Sequence, residues 1–141
     1  MRFWDSSAVV PLCLDQPETP RVRELAGSDA AVVVWWGTRT ECVSALQRGH
    51  REQRIAADLV DRARAVLGRL AAEWSEVQPS EPVRGRAERL LAVHPLRTAD
   101  AFQLAAALLW ARGETAGREF VCLDQRLREA ALREGFAVRP G

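Results

Sequence analysis

Lysine is missing from this chain: all 20 basic residues among its 141 are arginine. Chemistry that requires an ammonium group is therefore excluded, whether or not coding bias is what favoured arginine. Cysteine is scarce. Cys13, Cys42 and Cys122 are odd in number, far apart and outside any C-x-x-C spacing, which argues against a disulfide frame or a thiolate zinc site. They read as reduced, buried small hydrophobes. His50 falls in a polar turn with no second His or Cys at ligand spacing, and His94 precedes Pro95, so neither reads as a metal ligand or a base. No apolar run approaches the roughly 20 residues of a membrane span, and the opening is too short for a signal peptide. There is no low-complexity tract, no repeat and no run of like charges. The expectation is one domain over 1–141, cytoplasmic, with no membrane partner. A net charge of +1 neither favours nor opposes a nucleic-acid partner.

What is present is an alternation of short apolar runs and amphipathic stretches. Phe3-Trp4 reads as a strand, followed at once by Asp5, Ser6 and Ser7 and a helix through Leu12. Residues 12–20 read as a loop and 18–26 as a short helix stopped by Gly27. Ala30 to Val34 is an unbroken β-branched run of the kind buried on both faces of a parallel sheet. Thr38 to Gly49 reads as a helix whose Thr38 and Glu41 match an S/T-x-x-E capping box. One long amphipathic helix is expected over 51–73, a strand over 74–78, and a helix over 83–93. A strongly apolar helix follows from Thr98, a natural N-cap, to Trp110. Residues 119–123 form a strand ending in Asp124, 125–132 a helix, and 136–138 an edge strand.

Strands alternating with helices imply an α/β fold with a mostly parallel sheet of about five strands. Asp5, Glu41 and Asp124 then sit at the carboxyl edge of the sheet, and Asp100 opens a helix that can point there. Each has an ordinary explanation as a helix cap or first-turn acid. Four converging carboxylates do not, because unpaired like charges in a partly desolvated cleft repel by several kcal/mol. Oxygen donors without His or Cys select Mg²⁺ or Mn²⁺.

These segments carry a resemblance. Phe3 to Val10, the Thr40-Glu41 pair, Leu96 to Ala105 and Phe120 to Leu127 resemble, in order and across essentially the whole chain, the motifs of PIN-domain ribonucleases. The nearest type is VapC, the toxin of bacterial toxin–antitoxin pairs. The resemblance implies a three-layer α/β/α fold, Mg²⁺-dependent cleavage of RNA, a homodimer and a cognate antitoxin. It makes Asp5, Glu41, Asp100 and Asp124 the catalytic, metal-binding carboxylates, with Ser6 and Thr98 as supporting hydroxyls. Arg39, Arg48, Arg51 and Arg97 are candidate RNA contacts. Trp35, Gln103 and Cys122 depart from the residues usual at their positions.

Two other enzyme classes also place aspartates at strand ends. A haloacid-dehalogenase-like phosphatase or a phospho-accepting receiver needs a lysine beside the phosphoryl group, which this chain lacks. The rivals that remain are a nuclease of the same fold acting in RNA processing or on DNA without an antitoxin, and a binding module without catalysis.

Overall fold

The computed structural model describes residues 1–141. In chain order the elements are β1 (Arg2–Trp4), α1 (Ser6–Cys13), α2 (Thr19–Ser28), β2 (Val32–Trp35), α3 (Thr38–Arg51), α4 (Ala57–Glu73), β3 (Ser75–Val77), α5 (Glu81–Val93), α6 (Thr98–Trp110), β4 (Glu119–Val121), α7 (Gln125–Arg133) and β5 (Ala137–Arg139). The five strands form one sheet in the order β3-β2-β1-β4-β5. Every pairing is parallel, so the sheet is wholly rather than mostly so.

The first strand is the central one, with Phe3 level with Val33 on one side and Phe120 on the other. Successive side chains leave a strand on opposite faces, and both faces here are apolar. Phe3, Val33 and Phe120 pack with residues of α5, α6 and α7 in one core. Trp4, Val34 and Val121 pack with residues of α1, α2, α3 and α4 in the other. Phe3 stacks on Phe120 with ring centroids 5.5 Å apart. Full burial of side chains this large contributes roughly 1.5–3 kcal/mol each, which is how strands of three or four residues hold their places.

The helix expected over 51–73 is two helices. Helix α3 continues through Gly49 and His50 to Arg51, and α4 starts only at Ala57. Between them Gln53 takes a left-handed conformation (φ 59°). Gly49 is therefore no stop signal: a Cβ there would lie 2.4 Å from Ile55 Cδ1, so the glycine makes room for the returning chain. His50 is helical, and its Nδ1 meets the Ile55 carbonyl at 3.0 Å. Leu46, Val60 and Ala63 close a small core of their own across this hairpin.

Smaller shifts occur at other boundaries. Helix α1 runs past Pro11 to Cys13, and α2 past Gly27 to Ser28. Helix α5 begins at Glu81 because the Ser80 hydroxyl accepts from the Val83 amide. Strand β4 stops at Val121, and β5 is displaced by one residue. Thr98 is not the cap of α6. Arg97 occupies that position, with no side-chain capping bond. No helix is long and apolar enough to cross a membrane.

Candidate functional site

Parallel strands put all their carboxyl ends on one edge, and the residues that leave them meet there. The Asp5 amide donates to the Val121 carbonyl at 2.9 Å, which ties the end of β1 to the end of β4. The Asp5 side chain is both cap and site. Its Oδ2 accepts from the Ser7 amide (3.1 Å), the Ser7 hydroxyl (2.5 Å) and the Cys122 thiol (3.6 Å). No hydrogen bond reaches Oδ1, although the residue is only 3% exposed, and that oxygen opens into the cavity in front of it.

Ser7 does more than hold Asp5. Its hydroxyl accepts from the Leu123 amide at 2.9 Å and the Asp124 amide at 3.3 Å. One oxygen thus joins the turn after β1 to the turn after β4. Asp124 in turn caps α7, with Oδ1 accepting from the Leu127 amide at 3.0 Å.

The Thr38/Glu41 capping box does not form. Gly37 is the N-cap of α3, without a side-chain capping bond, and Glu41 turns inward. Its Oε1 accepts from the Ser6 hydroxyl (3.3 Å) and its Oε2 from Gln103 Nε2 (2.9 Å). The same Gln103 nitrogen donates to Thr38 Oγ1 at 2.9 Å, so a buried amide on α6 fixes the first turn of α3. Asp100, three residues before Gln103 and therefore on the same face of α6, completes the set.

Asp5, Glu41, Asp100 and Asp124 line a single cavity of about 320 Å³ together with Ser6, Ser7 and Arg48. Thr98 is exposed and lies outside it. Burial raises the Asp5 carboxyl above its ordinary value against the opposing bonds from Ser7, and the Asp100 charge adds to the rise. Burial and then the Asp5 charge push Glu41 up to about 7. Asp100 is raised by burial and by Asp124, with Arg97 and Arg126 opposing. None of the four acids takes part in an ion pair.

A second depression of about 450 Å³ shares Arg48, Asp100 and Asp124 with the first and adds Arg97 and Arg126. No carboxylate of the chain pairs with these three arginines. Arg39 and Arg51 line neither hollow.

No three His, Cys, Asp or Glu side chains stand close enough to enclose one ion. The donor chemistry nevertheless fits Mg²⁺, which keeps several of its waters and takes only one or two carboxylates directly. Asp5 Oδ1 is a ready-made ligand of that kind, an oxygen held in place and left without a donor.

No family model matches the sequence, and no curated protein does. Solved structures do match. A toxin–antitoxin complex from Klebsiella pneumoniae is 17% identical, with a TM-score of 0.56 over 89% of this chain and 88% of that one. FitAcB from Neisseria gonorrhoeae is 16% identical, with a TM-score of 0.65 over 98% and 96%. The fold is that of the PIN domains.

On this PIN fold three residues that the sequence did not single out for the site now belong to it. Ser7 had a readable signal, since a serine two places after a strand-end aspartate can close an Asx turn. Gln103 stands one helical turn from Asp100, and Arg126 lies in the first turn of α7, two residues beyond Asp124. Their spacing was visible, but their direction depended on how the helices pack.

Proposed function

We propose that this chain is a Mg²⁺-dependent endoribonuclease, the toxin of a toxin–antitoxin pair, acting as a homodimer and restrained by a cognate antitoxin. The observation that carries this reading is the cavity of four carboxylates, none of them in an ion pair, opening onto three arginines that are likewise unpaired. A site of that kind is incomplete until it meets a divalent ion and a phosphate backbone. The likeness to a structure described as a toxin–antitoxin complex supports the partner.

In this reading Asp5 and Asp100 would hold the ion directly, with Asp124 and Glu41 acting through its waters or on a second ion. What Mg²⁺ supplies at such a site is a more acidic water and relief of the charge that develops on the scissile phosphate. The chain supplies the positioning. Ser7 and Cys122 fix one oxygen of Asp5 so that the other faces the substrate, and Ser6 and Gln103 fix Glu41. Arg48, Arg97 and Arg126 grip phosphates on either side of the cut, with Arg39 and Arg51 as candidates for a more distant contact. No side-chain nucleophile is required, and hydrolysis leaves 5′-phosphate and 3′-hydroxyl ends. An antitoxin segment bearing arginine would neutralise the same carboxylates and compete with the ion.

Expression of the chain alone should arrest bacterial growth, and purified protein should cleave RNA with Mg²⁺ and stop in excess EDTA. Co-expression of the adjacent small gene should restore growth. Normal growth with folded protein that cleaves RNA would favour a nuclease without an antitoxin. Folded protein that binds RNA but never cuts it would favour the binding module.

A further inference from the structure

Trp36 is 54% exposed. It directly follows β2 and is tied to β3 by donation of its amide to the Val77 carbonyl at 3.0 Å, so it stands on the same edge of the sheet as the four carboxylates. The other large apolar residues left exposed lie elsewhere: Met1 before β1, Leu59 in the first turn of α4, Leu91 and Val93 at the end of α5, and Leu132 in α7. Trp36 alone follows the carboxyl end of a strand.

Trp35, the residue before it, lines a hollow of about 420 Å³ with Phe102, Pro79, Ser80, Glu81 and Arg84. Trp35 and Phe102 stack with centroids 5.5 Å apart and planes 6° from parallel. Gly37 maintains this arrangement, because a Cβ there would lie 2.6 Å from Trp35 Nε1. That indole N–H makes no hydrogen bond in the chain and is not sealed from solvent. A stacked aromatic pair, a free donor at its edge, a hydroxyl and the Arg84–Glu81 pair on the rim, followed in the chain by an exposed indole, together suit a planar heterocycle with a polar edge.

We propose that Trp36 and the Trp35/Phe102 hollow form a stacking subsite for one unpaired nucleobase of the RNA strand lying in the carboxylate cavity. Single strands are held by this combination of basic contacts and aromatic stacking. The sheet order separates Trp36 from Arg126. Arg126 follows β4 and Trp36 follows β2, with Asp5, directly after the central β1, between them. The inference rests on the nuclease reading for its substrate, but its chemistry is read out by binding alone.

The test is affinity for a labelled single-stranded RNA in Mg²⁺, measured in an Asp5→Asn chain so that the probe survives. Adding Trp36→Ala should weaken binding about ten-fold, the loss of one stacked base, while Trp36→Phe keeps most of it. The slope of affinity against salt should not change, since no phosphate contact is removed. Against an oligonucleotide of equal charge made abasic at successive positions, the Trp36→Ala penalty should vanish when the stacked base is the one missing.

Equal affinity for the Trp36→Ala and parent chains overturns the subsite, and so does a penalty that persists at every abasic position. A shift of Trp36→Ala from dimer to monomer in sedimentation, without a base-dependent loss, would assign the indole to a protein interface instead. The two readings fail separately. Cleavage by the unmodified chain with no effect of Trp36 removes only the subsite, whereas base-dependent binding by a chain that never cleaves removes only the nuclease.

Discussion

The two edges of the sheet treat carboxylates in opposite ways. At the amino edge Glu119 lies between Arg2 and Arg139, and Asp29 meets the terminal ammonium. The bond from Arg2 holds Glu119 below its usual range, and the bond from the ammonium does the same for Asp29. At the carboxyl edge Asp5, Glu41 and Asp100 have no cation in contact, and all three are raised. Residue type is the same on both sides. An acid that has a partner serves stability, whereas a cluster left without one is a cost the fold carries until a ligand offsets it, which is the usual signature of a functional site.

The largest expected effect tests that cost directly. Asp5→Asn keeps the capping geometry but removes a buried charge, so RNA cleavage should be abolished while the metal-free Tm stays the same or rises. The parent chain should gain several degrees on adding Mg²⁺, through preferential binding to the folded state, and the variant should not. An Asp5→Asn protein that is destabilised yet still active would show that Asp5 is only a helix cap. Asp100→Ala is expected to behave in the same way.

A smaller effect lies in the pH dependence. Glu41 ionises near 7 in the folded chain against 4.5 ordinarily, so its ionisation opposes folding. Stability of the metal-free protein should fall as pH rises from about 4.5 through about 7, and return on acidification across that window. The shift corresponds to at most about 3 kcal/mol, and solvent screening at this half-buried site reduces it to about 1–2 kcal/mol. Glu119 has the opposite sign, since its contribution is lost as pH falls below the ordinary carboxylate range. Urea midpoints in EDTA should therefore rise from pH 8 to about pH 5 and drop below about pH 4. A flat profile from 8 to 5 would mean that the carboxylates do not repel.

The smallest effect is at the amino edge. Glu119→Gln removes a half-buried acceptor shared by two arginines and should cost about 1 kcal/mol. Cleavage should persist, as measured by urea unfolding beside an RNA assay. Loss of activity with intact stability would show that the two edges are not independent.

Much of this contrast was legible in the residues. The apolar runs at Phe3-Trp4, 30–34 and 119–123 located three strands, and an acid after each exit or in the following first turn located Asp5, Glu41 and Asp124. The break between α3 and α4 was not legible. Residues 52–56 carry neither glycine nor proline, the left-handed residue is Gln53, and the apolar spacing continues through Ile55. The capping box at Thr38 and Glu41 was the natural local reading, but Gln103, 62 residues away from Glu41, outbids it. Local patterns identify the acids, while distant donors decide which way each one faces.

The hydroxyl of Ser7 has one more consequence, for a chain still being made. It binds the amides of Leu123 and Asp124, 116 and 117 residues later, and the central strand that precedes it is flanked by β4 on one side. At ordinary synthesis speeds the second half of this connection follows the first by roughly ten seconds. Throughout that interval Asp5 lacks the thiol of Cys122, Ser7 lacks the amides it accepts from, and Asp124 does not yet exist. The four carboxylates therefore come together only when the last third of the chain has left the ribosome.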